Sequence, residues 1–258
     1  MAEALPLVDL WGLERSQSEP FRLFEGEGRR LVVSGVGKER AAQATQWLAG
    51  PGIDPRTVWL DVGLCGHPSL SVGEIRAAHR VVDAASGDAW YPPAVVPFPC
   101  GSMELRTVSR PERVYRDDVG YDMEAAGFLA AARKVATAEL VQVVKVVSDN
   151  REAPPRRFRP SEVADLVRPH APAVDRFVEG LRELATELPA KPKPDEIFEA
   201  LVARVHFTIS RRRRLRDLLR RARALGLELD PATLGGDAER ISDELRRRIE
   251  AVPYRIDP

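Results

Sequence analysis

Residues 121–150, YDMEAAGFLAAARKVATAELVQVVKVVSDN, hold the side chains best placed to do chemistry, above all the carboxylates of Glu124 and Asp149. Asp122, Met123 and Glu124 stand where a helix would begin. Carboxylates there meet unpaired backbone N–H groups and the positive end of the macrodipole. The helix is expected over 125–136, rich in alanine and charged only at Arg133 and Lys134, hence packed over most of its surface. Segment 140–147 is a valine-rich apolar run, the pattern of a strand covered on both faces, with Lys145 as an interruption that would leave the burial incomplete. Asp149 then follows the C-terminal end of the strand, where open α/β sheets bind their ligands. Glu124 and Asp149 are therefore expected to face one pocket from adjacent elements. A carboxyl group desolvated at such a strand end would hold its proton more tightly, which suits a general acid near neutral pH. Structural ion pairs or a helix cap would account for the same carboxylates.

The elements that must position these groups precede and follow them. Segments 21–24 and 30–34 read as two strands joined by the polar turn Glu25-Gly26-Glu27-Gly28. Ser34-Gly35-Val36-Gly37-Lys38 turns into an amphipathic helix that packs through Ala41, Ala42, Ala44, Trp47 and Leu48. Arg40 stands where a dinucleotide fingerprint needs its third glycine, and the spacing of a phosphate loop is missing too. Segment 57–62 is the next buried strand, with Gly63-Leu64-Cys65-Gly66-His67 as the loop after it. His67 acts as a ligand, transfers protons or makes a structural hydrogen bond, and Cys65 reads as a small buried filler. Segment 71–85 reads as a strand and its continuation. Trp90-Tyr91-Pro92-Pro93 is a rigid aromatic loop that either stacks on a base or covers a sheet edge. Segment 104–109 is a further strand. After Asn150 comes a Pro- and Arg-rich linker over 151–160, then a short helix from Ser161. Val174, Phe177, Val178, Leu181, Leu184 and Leu188 then recur at helical spacing.

DMEAAG followed by KVVSDN resembles the nucleoside phosphorylase and nucleosidase superfamily, whose members cleave the N-glycosidic bond of purine nucleosides. VVSGVGKERAAQA is similar to the family's strand, SGxGK turn and helix, and DVGLCGHPSLSVGEI to its second strand, glycine loop and following strand. The resemblance runs over residues 3–185. It implies a three-layer α/β/α fold with a central mixed β-sheet over 1–190, and a helical C-terminal extension over 191–258. It further implies that Asp149 is the general acid to purine N7, with Ser148 orienting it. Glu124 would bind the ribose hydroxyls, Met123 would pack on the sugar face, and a water activated by Glu3 would add to the opposite face. Gly63, Leu64 and Cys65 would belong to the substrate-binding loop, and Ser109 to the segment whose main-chain groups read the purine. Family members open with a buried strand before that glutamate. Here Glu3 stands almost at the start, so either the start lies upstream or the sheet has lost that strand. Phosphorolytic members carry an arginine and a serine where this chain has Asp61 and Leu64. An acidic residue there would repel phosphate, so water is the expected acceptor. Phosphorolysis through a phosphate site built elsewhere, and a nucleoside-binding or interaction protein with degraded catalysis, stay open as alternatives. The resemblance implies no cofactor and, by analogy, a homo-oligomer.

Among 258 residues, 39 basic side chains balance 39 acidic ones, which gives no global reason to expect nucleic acid or an anionic membrane as partner. The two cysteines, Cys65 and Cys100, imply neither a disulfide framework nor a metal cluster. There is no apolar stretch of the roughly 18 residues a membrane span needs and no signal peptide, so a cytoplasmic protein is expected. Beyond a Pro/Lys linker at 189–194, the run RRRRLRDLLRRAR at 211–223 places Leu215, Leu218 and Leu219 on one helical face. A face that is solvated or paired with the acidic residues before and after it, a nucleic-acid contact and an oligomer contact are its three readings.

Overall fold

The computed structural model describes residues 2–51, 53–98, 100–188 and 196–252; the linker expected at 189–194 lies outside them. The chain forms two compact units, Met1–Ala190 and Lys191–Pro258. The first runs through α1 (Leu5–Leu10), β1 (Glu14–Ser16), β2 (Arg22–Gly26), β3 (Arg29–Val33), α2 (Lys38–Ala49), β4 (Trp59–Gly66) and β5 (Ile75–Asp83). It continues with β6 (Ala89–Trp90), β7 (Ser102–Thr107), β8 (Gly120–Asp122), α3 (Ala125–Ala132), β9 (Val141–Asp149), α4 (Pro160–Val167) and α5 (Ala171–Glu187).

β1, β2 and β3 form a small antiparallel sheet of their own. The other six strands lie in the order β6-β5-β7-β8-β4-β9, and β9 pairs back onto β5 from Ile75↔Val146 to Ala77↔Val144. Five strands thereby close into a barrel. β4 and β9 run parallel, in register from Trp59↔Val141 to Cys65↔Val147, whereas β4–β8 and β5–β9 are antiparallel, so the sheet is mixed.

Side chains of a strand alternate between its two faces, and β9 uses both. Val141, Val143 and Val147 pack with Ala41 of α2 and with Ala125 and Leu129 of α3. Val144 and Val146 pack with Leu7 of α1 and with Val174, Phe177 and Leu181 of α5. Each such buried valine contributes about 1.5–3 kcal/mol relative to exposure. The result is the expected α/β/α layering. α2 and α3 cross closely because Gly127 has no side chain, and a Cβ there would overlap the Lys38 carbonyl.

Several boundaries differ from the sequence expectation. α3 ends at Ala132, where bonds from the Lys134 and Val135 N–H groups to residues three back tighten its last turn. β9 continues through Asp149, because Asp149 still pairs with Gly66. β4 likewise runs to Gly66, so Gly63, Leu64 and Cys65 are strand residues. The glycines belong there because β9 side chains occupy the space beside them: a Cβ on Gly63 would lie 3.1 Å from Lys145 Nζ. β1 and β8 are too short to announce themselves by alternation. Trp90 sits in the edge strand β6, the edge-covering of its two readings.

In the second unit, α6 (Glu196–Arg204), α7 (Ile209–Ala224) and α8 (Ala238–Glu250) share a core that includes Leu201, Leu215, Leu218, Leu219, Ile241 and Leu245. The leucine face of the arginine-rich helix is thus turned inward. Thr208 and Asp237 cap α7 and α8 through their side chains. Arg211 of α7 pairs with Glu239 of α8 at 3.2 Å, in keeping with the intramolecular reading. Among the described residues no helix is long and apolar enough to cross a membrane.

Candidate active site

The turn between β8 and α3 sorts its two carboxylates into different roles. Asp122 Oδ2 accepts from the Ala125 N–H at 2.8 Å and Oδ1 from the Thr107 hydroxyl at 2.7 Å, so it is Asp122 that satisfies the start of the helix. Glu124 is left to reach outward, and its Oε1 accepts from the Gly37 N–H at 2.9 Å. Gly37 has φ 108°, a conformation open to glycine, and that turn aims its N–H at Glu124.

Lys145, in the middle of β9, is completely buried, in contrast to the incomplete burial expected of it. Its Nζ lies 2.9 Å from Asp61 of β4 and 3.0 Å from Asp122 of β8. Burial works against the ammonium, but Asp61, Asp122 and Glu124 outweigh it and hold Lys145 well above the usual lysine range. The charge survives because carboxylates reach it from the adjacent strand β4 and from β8 beyond it.

Glu3 is anchored, although nothing in the sequence announces it. Ala4, Leu7 and Val8 are buried behind it, and its carboxylate accepts from the Leu64 N–H on β4. Burial raises the proton affinity of Glu3, with Lys145 pulling the other way. Burial raises that of Glu124 as well, again against Lys145.

Glu3, Asp61, Gly63, Glu124 and Lys145 all line one cavity of about 620 Å³. Its side walls are β3 and β4. Leu48 of α2 also lines it, as do Val178 of α5 and Trp11. β3 pairs only with β2, and β4 pairs with β9 on one side and with β8 only at Gly66 on the other. The strand edges along the cavity are therefore unpaired among the described residues.

Asp149 is not among the residues that line this cavity. Its Oδ1 is 2.5 Å from Ser148 Oγ, and its Oδ2 accepts from the Tyr115 hydroxyl. Of the two carboxylates expected to face one pocket, Glu124 lines this cavity and Asp149 does not, its Oδ2 being engaged by Tyr115 instead. Ser148 is buried, with Oγ also 3.2 Å from the Cys65 carbonyl. Met123 is half-buried, its N–H turned to Glu124 Oε2 at 3.2 Å. Leu64 contributes its backbone to Glu3, and Ser109 is exposed just past β7. The Cys65 thiol is pushed up by burial, as befits a filler. His67 Nδ1 accepts from the N–H groups of Ser69 and Leu70, both at 3.2 Å, which is the structural role.

Three residues of this region escaped the sequence reading as site members: Lys145, Asp61 as its partner, and Tyr115. A lone charge inside an apolar run was the available signal for Lys145. Among the described residues no group of three or more His, Cys, Asp or Glu side chains is placed to hold a metal.

No protein-family model and no curated protein matches the chain. Solved structures do match in shape. The 5′-methylthioadenosine nucleosidase of Arabidopsis thaliana in apo form aligns at 16% identity and TM-score 0.51, over 73% of this chain and 93% of that one. The 5′-methylthioadenosine/S-adenosylhomocysteine nucleosidase of S. pneumoniae, with a transition-state inhibitor, aligns at 17% identity and TM-score 0.53, over 70% and 95%. A futalosine hydrolase mutant of Helicobacter pylori aligns at 13% identity and TM-score 0.53, over 69% and 94%. The fold is that of the nucleosidases. Within this nucleosidase fold, Glu3, Glu124 and Lys145 come from three separate parts of the chain and meet at one cavity.

Proposed function

We propose that the chain cleaves the N-glycosidic bond of a purine nucleoside, with water as acceptor, and that residues 1–190 form the catalytic domain while 191–258 form a helical extension. The observation that carries this reading is the convergence of Glu3, Glu124 and Lys145 on one cavity in a fold of the nucleosidase kind. Glu3, its proton affinity raised by burial, is the base that takes a proton from the attacking water. Glu124, steadied by Gly37, binds the ribose hydroxyls, with Met123 against the sugar. Asp149, oriented by Ser148, protonates the departing base at N7, which makes the purine a better leaving group. As the bond breaks, the sugar gains oxocarbenium character. Asp61 and Asp122 flank the Lys145 ammonium, with Glu124 also acting on it, so that charge is already matched within the protein and is not free to hold a phosphate anion.

The relatives of like fold act on 5′-methylthioadenosine, S-adenosylhomocysteine or futalosine, by their names. An adenine nucleoside is therefore the first substrate to offer. The test is release of free adenine from methylthioadenosine, adenosylhomocysteine, adenosine and 5′-deoxyadenosine, with and without phosphate, beside Asp149→Asn and Glu3→Gln. Phosphate-independent release, lost in both variants, is the expected result. Release that needs phosphate would overturn the choice of water. A second reading, a nucleoside-binding protein without turnover, draws on the engagement of both Asp149 oxygens by Ser148 and Tyr115. Nucleoside binding with no adenine release would favour it.

A further inference from the structure

We propose that Tyr115 is a positioning residue for Asp149, a role that rests on the nucleosidase reading above. Between Ser109 and Asp118 it is the one buried side chain, 1% exposed, on an otherwise accessible loop. It is also the one described non-glycine residue with positive φ, at 49°. A bulky aromatic residue in that region is unusual and persists only where surrounding contacts fix it.

Those contacts are present. The Arg151 guanidinium donates to the Tyr115 carbonyl at 2.6 Å, from two residues beyond Asp149. Glu112 gathers the backbone N–H groups of Arg113 and Val114 at 2.8 and 2.7 Å, which shapes the turn leading into Tyr115. The Tyr115 ring meets Tyr121 of β8 edge-on, with centroids 5.9 Å apart. On the remaining side, a Cβ on Gly66 would stand 2.7 Å from the Tyr115 hydroxyl and 2.5 Å from Asp149 Oδ2, so β4 itself is cut back to seat the pair.

The phenol of Tyr115 holds Asp149 Oδ2, and the Ser148 hydroxyl lies against Oδ1. The carboxylate can then neither rotate about its last bond nor fold back onto the strand. Burial, together with the Asp149 carboxylate, keeps the phenol protonated well beyond the ordinary tyrosine range, so it acts as a donor throughout the neutral pH region. Tyr115 is not read as touching the reacting atoms. It fixes the direction from which Asp149 meets the base.

The test compares Tyr115→Phe, which keeps the ring and removes the donor, with Tyr115→Leu, which removes both. A hydrogen bond to a charged group sets the scale, so kcat of Tyr115→Phe is expected to fall roughly ten- to hundredfold while KM stays within about twofold. Tyr115→Leu should lose at least as much. Wild-type kcat in Tyr115→Phe would reduce the residue to packing and overturn the proposal. A lowered KM would overturn it too, since Tyr115 would then be competing with the substrate. A second readout needs no turnover: the ¹³C resonance of the Asp149 carboxyl, assigned by its loss in Asp149→Asn, should move in Tyr115→Phe. Absence of adenine release by the wild type would sink the nucleosidase reading instead. In that case a moved resonance still upholds Tyr115 as the residue that orients Asp149, and an unmoved one overturns it.

Discussion

Lys145 Nζ lies 3.0 Å from Asp122 Oδ2, and neither side chain is open to water. Asp61 sits on the other side of the ammonium at 2.9 Å. Removing Lys145 would leave two carboxylates inside the sheet with no counter-charge. Lys145→Met is therefore expected to destabilise the fold by about 3–5 kcal/mol, the usual consequence of breaking a buried ion pair from one side. Equilibrium urea unfolding checks this, and a loss below about 1 kcal/mol would mean the cluster is not held by charge.

Glu3 gives a pH dependence with a definite sign. Burial raises its carboxyl above the unfolded value near 4.5, so the folded protein binds that proton more tightly than the unfolded chain does. Stability from this group is complete below about pH 4.5 and is lost as pH climbs through the folded value. Glu3→Gln cannot lose that proton. The stability of the variant minus that of wild type should therefore grow from pH 4.5 upward and level off once Glu3 is ionised in both states. A difference that shrinks with pH would contradict the assignment.

Gly66→Ala tests the seat of Asp149. The new methyl would fall 2.5 Å from Asp149 Oδ2, inside contact distance, so carboxylate, phenol or strand must shift. The expected cost is about 1–3 kcal/mol of stability, with adenine release reduced at least as far as in Tyr115→Phe. Thermal melts and the adenine assay measure the two effects separately.

Gly127→Ala tests the helix crossing. A methyl there would meet the Lys38 carbonyl, which is backbone and cannot rotate away. A loss of about 3 kcal/mol is expected, the upper part of the range for overpacking. An unchanged melting temperature would show that α2 and α3 are free to separate.

What the sequence made legible follows from range. β9 declares itself by a valine-rich apolar run within its 9 residues, and α2 and α5 by helical periodicity within their 12 and 17. β8 is three residues long and carries no period, so its Asp122 read as part of the helix start. Gly63 and Gly66 looked like loop residues, whereas they are strand positions trimmed to admit Lys145 and Asp149 from the neighbouring strand. The anchoring of Glu3 depends on a backbone N–H sixty-one residues away, at Leu64. Tyr115 stood in a charged loop with nothing local to mark it as buried. Each of these shortfalls involves a partner distant in sequence, which local pattern cannot supply.

The unpaired edges of β3 and β4 predict a hydrated cavity. Backbone N–H and C=O groups without a strand to pair with still require hydrogen bonds, and inside a protein that demand falls to ordered water. A file of waters held along β3 and β4 would run past Leu64, whose N–H is bonded to Glu3. Strand edges without a partner would thus do more than leave space for a ligand: they would draw water up to the carboxylate proposed to activate one.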